Sequence, residues 1–277
     1  MISVYGSTGF IGSRFCAMYP EETCPIPREQ REPESGEILY LISTTHNYNV
    51  FDNPHLDIDT NLKVLVEVLE ACREQQVTFN FVSSWFVYGE TDLPAREDAI
   101  CRPRGFYSIT KKAAEDLLVS YCQTFGMNYR IFRLANVIGS GDRPSKQKNA
   151  LQFIADRLHR HESVELYHGG NFIRDYLHVD DVCRAMKLSL KKAPRNEVLN
   201  IGSGTPQTFK ALIEKLVKLT RSQSELLTID PPSFHRVVQV KDMWLDISKL
   251  DRLGFQLTMN MDQVLQTILP GSLEQNR

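Results

Sequence analysis

The sequence predicts a doubly wound α/β fold: a parallel sheet with helices on both faces, and a smaller α/β part toward the C-terminus. Three observations carry this. Short apolar runs alternate with amphipathic helical stretches through the first half of the 277 residues, the pattern of strands joined by crossover helices. A glycine-rich turn, Gly6, Gly9 and Gly12, follows the first of those runs and opens a helix. From about residue 141 the alternation loosens into a polar loop, "SGDRPSKQKN", before helix and strand signals resume.

Taken in order, "ISVY" (2–5) is a buried strand ending at a glycine. "ILYLIS" (38–43), "TFNFVSS" (78–84) and "YRIFRLANVIG" (129–139) read as further strands buried on both faces. Between them, "TNLKVLVEVLEACREQ" (60–75) puts Leu62, Leu65, Val66, Leu69 and Cys72 on one helical face. Pro103 closes a loop before a second helix, "YSITKKAAEDLLVSYCQTF" (107–125), rich in helix-forming residues. Beyond the polar loop, "ALQFIADRLHRH" predicts a helix, "EVLNIGSG" (197–204) a strand with a glycine turn, and "FKALIEKLVKLT" (209–220) another helix.

Composition excludes several functions. A net charge of −2 and a pI near 6.4 argue against binding nucleic acid or anionic membranes. The basic groups at Lys146–Lys148 and Lys191–Lys192 read as solvated surface. No apolar stretch approaches the roughly 18 residues of a membrane span, and the chain enters its first strand without a basic leader. Six cysteines lie far apart with no CxxC pair, so the sequence predicts neither a disulfide framework nor a metal site but reduced thiols in a cytoplasmic protein.

The glycine turn has a specific physical use. The first glycine permits a tight turn, the second lets backbone approach a pyrophosphate, and the third lets helix and strand pack closely. The following helix end offers N–H groups and a positive dipole to phosphate. In a Rossmann-type unit the expected dinucleotide contacts are Gly6, Thr8, Gly9, Phe10, Ile11 and Gly12. Roughly 20 residues further on, an acid would hold a ribose 2′-OH or an arginine a 2′-phosphate. Here "CPIPREQRE" offers Arg28, with Glu29 and Arg31 beside it. Arg28 leans toward NADP over NAD; the competing reading is an exposed charged loop.

Three later stretches, set beside this turn, resemble the extended short-chain dehydrogenases/reductases, and within them the NAD-dependent epimerase/dehydratase family of nucleotide-sugar enzymes. "FVSSWFVYGE" (81–90) is similar to the family strand ending in a catalytic Ser or Thr, here Ser84. "YSITK" supplies the Tyr-x-x-x-Lys pair Tyr107 and Lys111, and "RDYLHVDDV" (174–182) is a distinctive family segment. "RLANVIGSGD" (133–142), "LNIGSG" (199–204) and "DISKLDRLGF" (246–255) also match in order, so the likeness covers nearly the whole chain. It implies residues 1–140 as a dinucleotide-binding domain to which 175–204 returns, and 141–174 with 205–277 as a substrate-binding part. It implies catalytic roles for Ser84, Tyr107 and Lys111. It also implies substrate contacts to a nucleotide-diphosphate sugar from Ser84, Asn136, Asn149, Arg174 and Arg236, and a homodimer formed through helices 60–75 and 107–125.

The residues support the same chemistry on their own terms. Moving a hydride at a carbinol carbon requires the hydroxyl proton to move as well. A free tyrosine, with a pKa of about 10, is a poor base at neutral pH, and a lysine one helical turn away favours the tyrosinate by its charge. Tyr-x-x-x-Lys alone also describes an ordinary solvated helix face, so its meaning rests on the serine strand and glycine turn upstream. Lys112, about 100° around the helix from Lys111, is expected at the surface. Arginine suits a diphosphate because its planar fork binds two oxygens at once; for Arg174 the competing reading is an ion pair with Asp175. His178 reads as a structural hydrogen-bonding residue.

Two departures from the family pattern narrow the activity. Only about 26 residues separate Gly12 from "ILYLIS", where the family usually fits a helix and another strand, so the adenine side is abbreviated. Trp85 and Phe86 occupy the places of the Asp and Glu with which the dehydratases eliminate water, which argues against a dehydratase. The expectation is an NAD(P)-dependent 4-ketoreductase, with a nucleotide-sugar 4-epimerase as the alternative. A non-catalytic dinucleotide-binding sensor is the reading from a different class.

Overall fold

The computed structural model describes residues 1–142 and 150–269. Its strands in chain order are β1 (Ile2–Tyr5), β2 (Thr23–Pro25), β3 (Glu37–Tyr40), β4 (Thr78–Ser84), β5 (Asn128–Leu134), β6 (Asn136–Ile138), β7 (Val164–Tyr167), β8 (Ile173–Arg174), β9 (Tyr176–His178), β10 (Glu197–Ile201), β11 (Gln207–Thr208) and β12 (Leu226–Ile229). The helices are α1 (Phe10–Met18), α2 (Asn49–Asp52), α3 (His55–Ile58), α4 (Val64–Cys72), α5 (Phe106–Phe125), α6 (Ala150–His159), α7 (Val179–Lys192), α8 (Phe209–Thr220), α9 (Ser233–Val238), α10 (Ser248–Arg252) and α11 (Met261–Thr267).

Six strands form one all-parallel sheet in the order β10-β5-β4-β3-β1-β2. The predicted doubly wound sheet is present. Its central strands bury apolar side chains on both faces, as suits a sheet covered twice. One face buries Phe15, Phe132, Val182 and Met186 beneath α1 and α7; the other buries Tyr40, Leu65, Leu69, Phe81 and Leu118 beneath α4 and α5. A buried ion pair, Arg133 to Glu115 at 2.8 Å, ties β5 to α5. Among the described residues no helix is long and apolar enough to cross a membrane.

The strand order reverses beside β1, so a crevice opens at the carboxyl ends of β1 and β3, where ligands of open α/β sheets bind. Only one strand lies beyond β1, where the usual dinucleotide-binding order has two. That strand is three residues long and ends in a proline, tolerable at an edge, and residues 26–36 form neither helix nor strand before β3. The abbreviated adenine side thus keeps a strand and omits the crossover helix after it.

Two local expectations are refined. The single strand expected over 129–139 is divided at Ala135, whose N–H bonds Ile201 while Asn136 N–H turns to Asp175, so β6 pairs with β9 instead. The helix expected from residue 60 begins with a π-helical turn, Asp59–Lys63. That extra residue rotates the buried stripe onto Asn61, Leu65, Val68, Leu69 and Cys72, leaving Leu62 and Val66 half-buried. The C-terminal part has its own core, where α6 and α8 meet around Leu151, Ile154, Leu158, Leu212 and Leu216, beside the parallel pair β7–β12.

Candidate active site

A single cavity of about 710 Å³ runs from the glycine turn, past the end of β4, to β7 and α9. Its wall includes Gly6, Gly9, Phe10, Ile11, Gly12, Ser84, Tyr107, Lys111, Asn136 and Arg174, which the sequence scatters over 169 positions from Gly6 to Arg174, both ends counted.

At the glycine end the backbone leaves no room for side chains. Gly6 has φ +79°, and a Cβ at Gly12 would stand 2.2 Å from the Gly6 carbonyl oxygen. No side chain caps α1 at Gly9, so the positive end of the helix faces the cavity. A tight turn, close helix–strand packing and an open helix end are what a pyrophosphate requires, so the residues present fit a dinucleotide. Two expected contacts are not on the wall. Thr8 is exposed, because the turn that brings Gly6 and Gly9 inward directs position 8 to solvent. Arg28 is exposed in the irregular segment beyond β2, and among the described residues its side chain has no partner.

In the middle of the cavity, Ser84 ends β4 and Tyr107 lies in the first turn of α5. The buried tyrosine ring stands edge-on to Phe86, 5.8 Å between centroids, and Phe86 stacks on Trp85. Burial pushes the Tyr107 hydroxyl up to about 12; its hydrogen bond with Ser84 pulls the other way, and the Asp57 carboxylate adds to the rise. Lys111, 2% exposed, donates from Nζ to the Val82 carbonyl at 2.7 Å and lies 4.0 Å over the Phe81 ring. Burial pushes its ammonium down to about 7, opposed by Glu115. In this arrangement the Lys111 charge is turned toward β4 and not toward the Tyr107 hydroxyl. Lys112, on the outer side, pairs with Asp116.

Close approach of a loop fixes where α5 starts. Gly105 has φ +84°, and a Cβ there would meet Asn47 Oδ1 at 2.4 Å. Glycine therefore lets Asn47 accept from the Ser108 N–H at 3.3 Å and steady the first turn that carries Tyr107.

On the far wall, Arg174 is buried between Trp85 and Phe172, its guanidinium 5.4 and 4.8 Å from the two rings. It donates to the carbonyls of Ile173, Lys241 and Val240 at 2.6–3.0 Å, and burial lowers its pKa. It does not pair with Asp175, whose carboxylate accepts from Ser203, Gly204 and Leu245. Asn136 donates to the Asp175 carbonyl and accepts from Trp85. Arg236 is exposed and off the wall: on the short helix α9 one face is turned inward, and it presents His235 and Gln239. His235 packs on Tyr167, and burial, helped by Arg174 and His168, pushes it down to about 4, so it is neutral at pH 7. Asn149 and the Lys146–Lys148 group lie outside the described residues. His178 accepts from Asp180 N–H at the start of α7, a hydrogen-bonding position.

The sequence model of the NAD dependent epimerase/dehydratase family matches residues 30–202. The chain belongs to that family. The GDP-6-deoxy-D-mannose reductase of Pseudomonas aeruginosa is 28% identical, over 96% of this chain and 95% of its own. Among solved structures, the UDP-glucose 4-epimerase of Thermotoga maritima with UDP-glucose superposes with a TM-score of 0.87 at 25% identity, covering 96% of this chain and 97% of that one. The reductase RMD of Pseudomonas aeruginosa complexed with NADPH gives 0.83 at 25% identity, covering 97% of each. The protein is thus an enzyme of the NAD(P)-dependent nucleotide-sugar epimerase and reductase type.

Within this family member, sequence reasoning missed several residues on the cavity wall or bonded to it. Asn61 is buried in the helical stripe four positions before Leu65; it accepts from Thr44 N–H at 2.8 Å and donates to Thr44 and Thr110, each at 2.9 Å. An asparagine at an apolar stripe position was a legible signal. His235, Tyr167 and Phe172 gave none, because only the packing of β7, β8 and α9 brings them to one wall.

Proposed function

We propose that the protein is a 4-ketoreductase of a nucleotide-diphosphate sugar, using NADPH in preference to NADH. The observation that carries this reading is the abbreviated adenine side, where a single short strand, β2, lies beyond β1. Tyr107, buried and pushed up to about 12, holds its proton at neutral pH and can donate it to a carbonyl oxygen. The open edge beside β2, with no crossover helix over residues 26–36, suits a cofactor that exchanges every turnover.

In this reading residues 1–140, with 175–204, hold the dinucleotide, and 141–174 with 205–277 hold the substrate. Gly6, Gly9 and Gly12 cradle the pyrophosphate beside Phe10 and Ile11, and the exposed Arg28 reaches a ribose 2′-phosphate from the rim. Bound NADPH supplies the hydride that the C4 carbonyl carbon accepts. Ser84 and Tyr107 hydrogen-bond the carbonyl oxygen, Tyr107 gives it a proton, and the tyrosinate regains one from solvent. Lys111, swung from the Val82 carbonyl to a ribose hydroxyl, favours that transient tyrosinate. Arg174 and Asn136 face the sugar diphosphate. Trp85 and Phe86 give the ring an apolar wall and no acid or base for dehydration. Cytoplasmic location and a homodimer through α4 and α5 complete the proposal; Ile109 and Leu117 are exposed on α5, and light scattering that gives a monomer at micromolar concentration overturns the dimer.

A second reading, 4-epimerase, is favoured by the close superposition on the Thermotoga enzyme. One experiment separates them. Purified protein is expected to oxidise added NADPH with UDP-4-keto-6-deoxyglucose or its GDP counterpart, and to carry no retained dinucleotide. Protein that retains NAD and interconverts UDP-glucose and UDP-galactose without added cofactor overturns the reductase reading.

A further inference from the structure

We propose that Glu115 is a positioning residue for the catalytic pair: through the Ser83 hydroxyl it holds the end of β4 in register with α5, so that Ser84 and Tyr107 meet at one substrate oxygen. This rests on the catalytic roles given to Ser84 and Tyr107 above, and applies to reduction and epimerisation alike.

Strand β4 runs on past one of its neighbours. β3 pairs with it only from Thr78 to Phe81, whereas β5 pairs with it through to Ser84. Val82, Ser83 and Ser84 therefore have a strand on one edge only, and all three line the cavity. A strand end bonded on one side opens and shifts more easily than one bonded on both. Helix α5 supplies what the missing strand does not. Tyr107, Lys111 and Glu115 recur every four residues, so they share one face of the helix, and all three are buried. Lys111 takes the Val82 carbonyl at 2.7 Å. Glu115 takes the next residue: the Ser83 hydroxyl donates to its Oε1 at 2.5 Å. The residue after that is Ser84, on the cavity wall with Tyr107.

Glu115 is itself fixed. Arg133 of β5 donates to its Oε1 at 3.1 Å and to its Oε2 at 2.8 Å. Arg133 is held in turn by the Glu97 carbonyl at 3.2 Å and by the Tyr88 ring, 4.7 Å below its guanidinium. Both partners of the pair are buried, and the carboxylate is balanced by the guanidinium. What Glu115 hands to Ser83 is position and not charge. In the cycle proposed above, Lys111 leaves the Val82 carbonyl for a ribose hydroxyl. The bond from Ser83 to Glu115 need not break when it does. It is the tie that keeps Ser84 in place while Lys111 changes partner.

Removing Glu115 itself would leave Arg133 buried and unpaired, which endangers the fold, so the test is made at Ser83 in the full chain. Ser83→Thr keeps the hydroxyl and Ser83→Val lacks it. The two side chains have nearly the same shape, so any crowding by the added methyl group is common to both. Each is assayed well below its melting temperature, measured by scanning calorimetry, so that both chains are folded. The reaction followed is reduction of UDP-4-keto-6-deoxyglucose by NADPH or, if the wild-type chain performs that instead, interconversion of UDP-glucose and UDP-galactose. kcat of Ser83→Val is expected to fall about 10- to 100-fold below that of Ser83→Thr, because a misplacement of about 1 Å costs up to that much. KM for the nucleotide sugar should agree between the two within about twofold. Equal kcat in the two variants, or a loss carried by KM, overturns the proposal. A wild-type chain that catalyses neither reaction defeats the catalytic reading instead. Crystal structures of the two variants then decide the role of Glu115: Ser84 displaced from Tyr107 in Ser83→Val and not in Ser83→Thr is expected, and coincident Ser84 hydroxyls overturn it.

Discussion

On the sheet side of the cavity, Lys111 follows Tyr107 by one turn of α5 and sets its ammonium on the Val82 carbonyl, 2.7 Å away. On the opposite side, Arg174 leaves β8 and is wrapped by the carbonyls of Ile173, Val240 and Lys241. Both are buried cations at a ligand site, and both are hydrogen-bonded by neutral backbone oxygens. They differ in origin. Lys111 is placed by helical spacing within five consecutive residues, whereas Arg174 is placed by a segment some 67 positions further along, Lys241 being one of its acceptors. A cation satisfied by carbonyls keeps its charge for an incoming anion, since no carboxylate has to be displaced; for Lys111 the cost appears as a pKa pushed down to about 7.

The largest expected effect lies on the sheet side. Tyr107→Phe removes only the hydroxyl, so kcat for 4-keto sugar reduction should fall by about 100- to 10,000-fold, while the melting temperature and NADPH affinity change little. Unchanged turnover would defeat the catalytic assignment and revive the dinucleotide-sensor reading.

The opposite wall comes next, and two arginines test it together. Arg174→Met should weaken binding of a nucleotide-diphosphate sugar, measured by calorimetry, by about 10- to 150-fold, the range for hydrogen bonds to a charged group. Arg236→Ala, on the outer face of α9, should change it by less than about twofold. Equal losses would mean that α9 rotates when substrate binds and turns Arg236 inward.

The smallest effect concerns stability. Lys111 binds its proton less tightly folded, at about 7, than unfolded, near 10.5. Between those values the unfolded chain holds more protons, so stability should rise with pH, by at most about 1.4 kcal/mol per unit from this one group, and flatten below about pH 7. Lys111→Met lacks this term. Denaturant unfolding at pH 7, 8 and 9 should show wild type gaining on the variant as pH rises; parallel curves would mean that the ammonium is solvated.

These contrasts show why parts of the site were legible and others were not. The glycine turn, Ser84 and the Tyr107–Lys111 pair could be read directly, because a strand end, a tight turn and a helical turn each fix geometry within a few residues. Asn61 could have been read, as a polar residue in an apolar stripe, had the π-helical turn that contains it been foreseen. That Arg236 stands off the wall could not be read, because ten residues' distance from Asp246 says nothing about which face of a six-residue helix is turned inward.

By itself the sequence determined the fold class, the family and the cofactor class, all of which rest on local periodicity and short spacings. Only the tertiary structure decided which way Lys111 points, that Arg174 is held by carbonyls and not by Asp175, and that His235 and not Arg236 is on the wall. Each depends on how segments 30 to 190 residues apart pack and on which charges that packing buries. Burial and long-range contact are set by the whole chain, and no short stretch of it contains them.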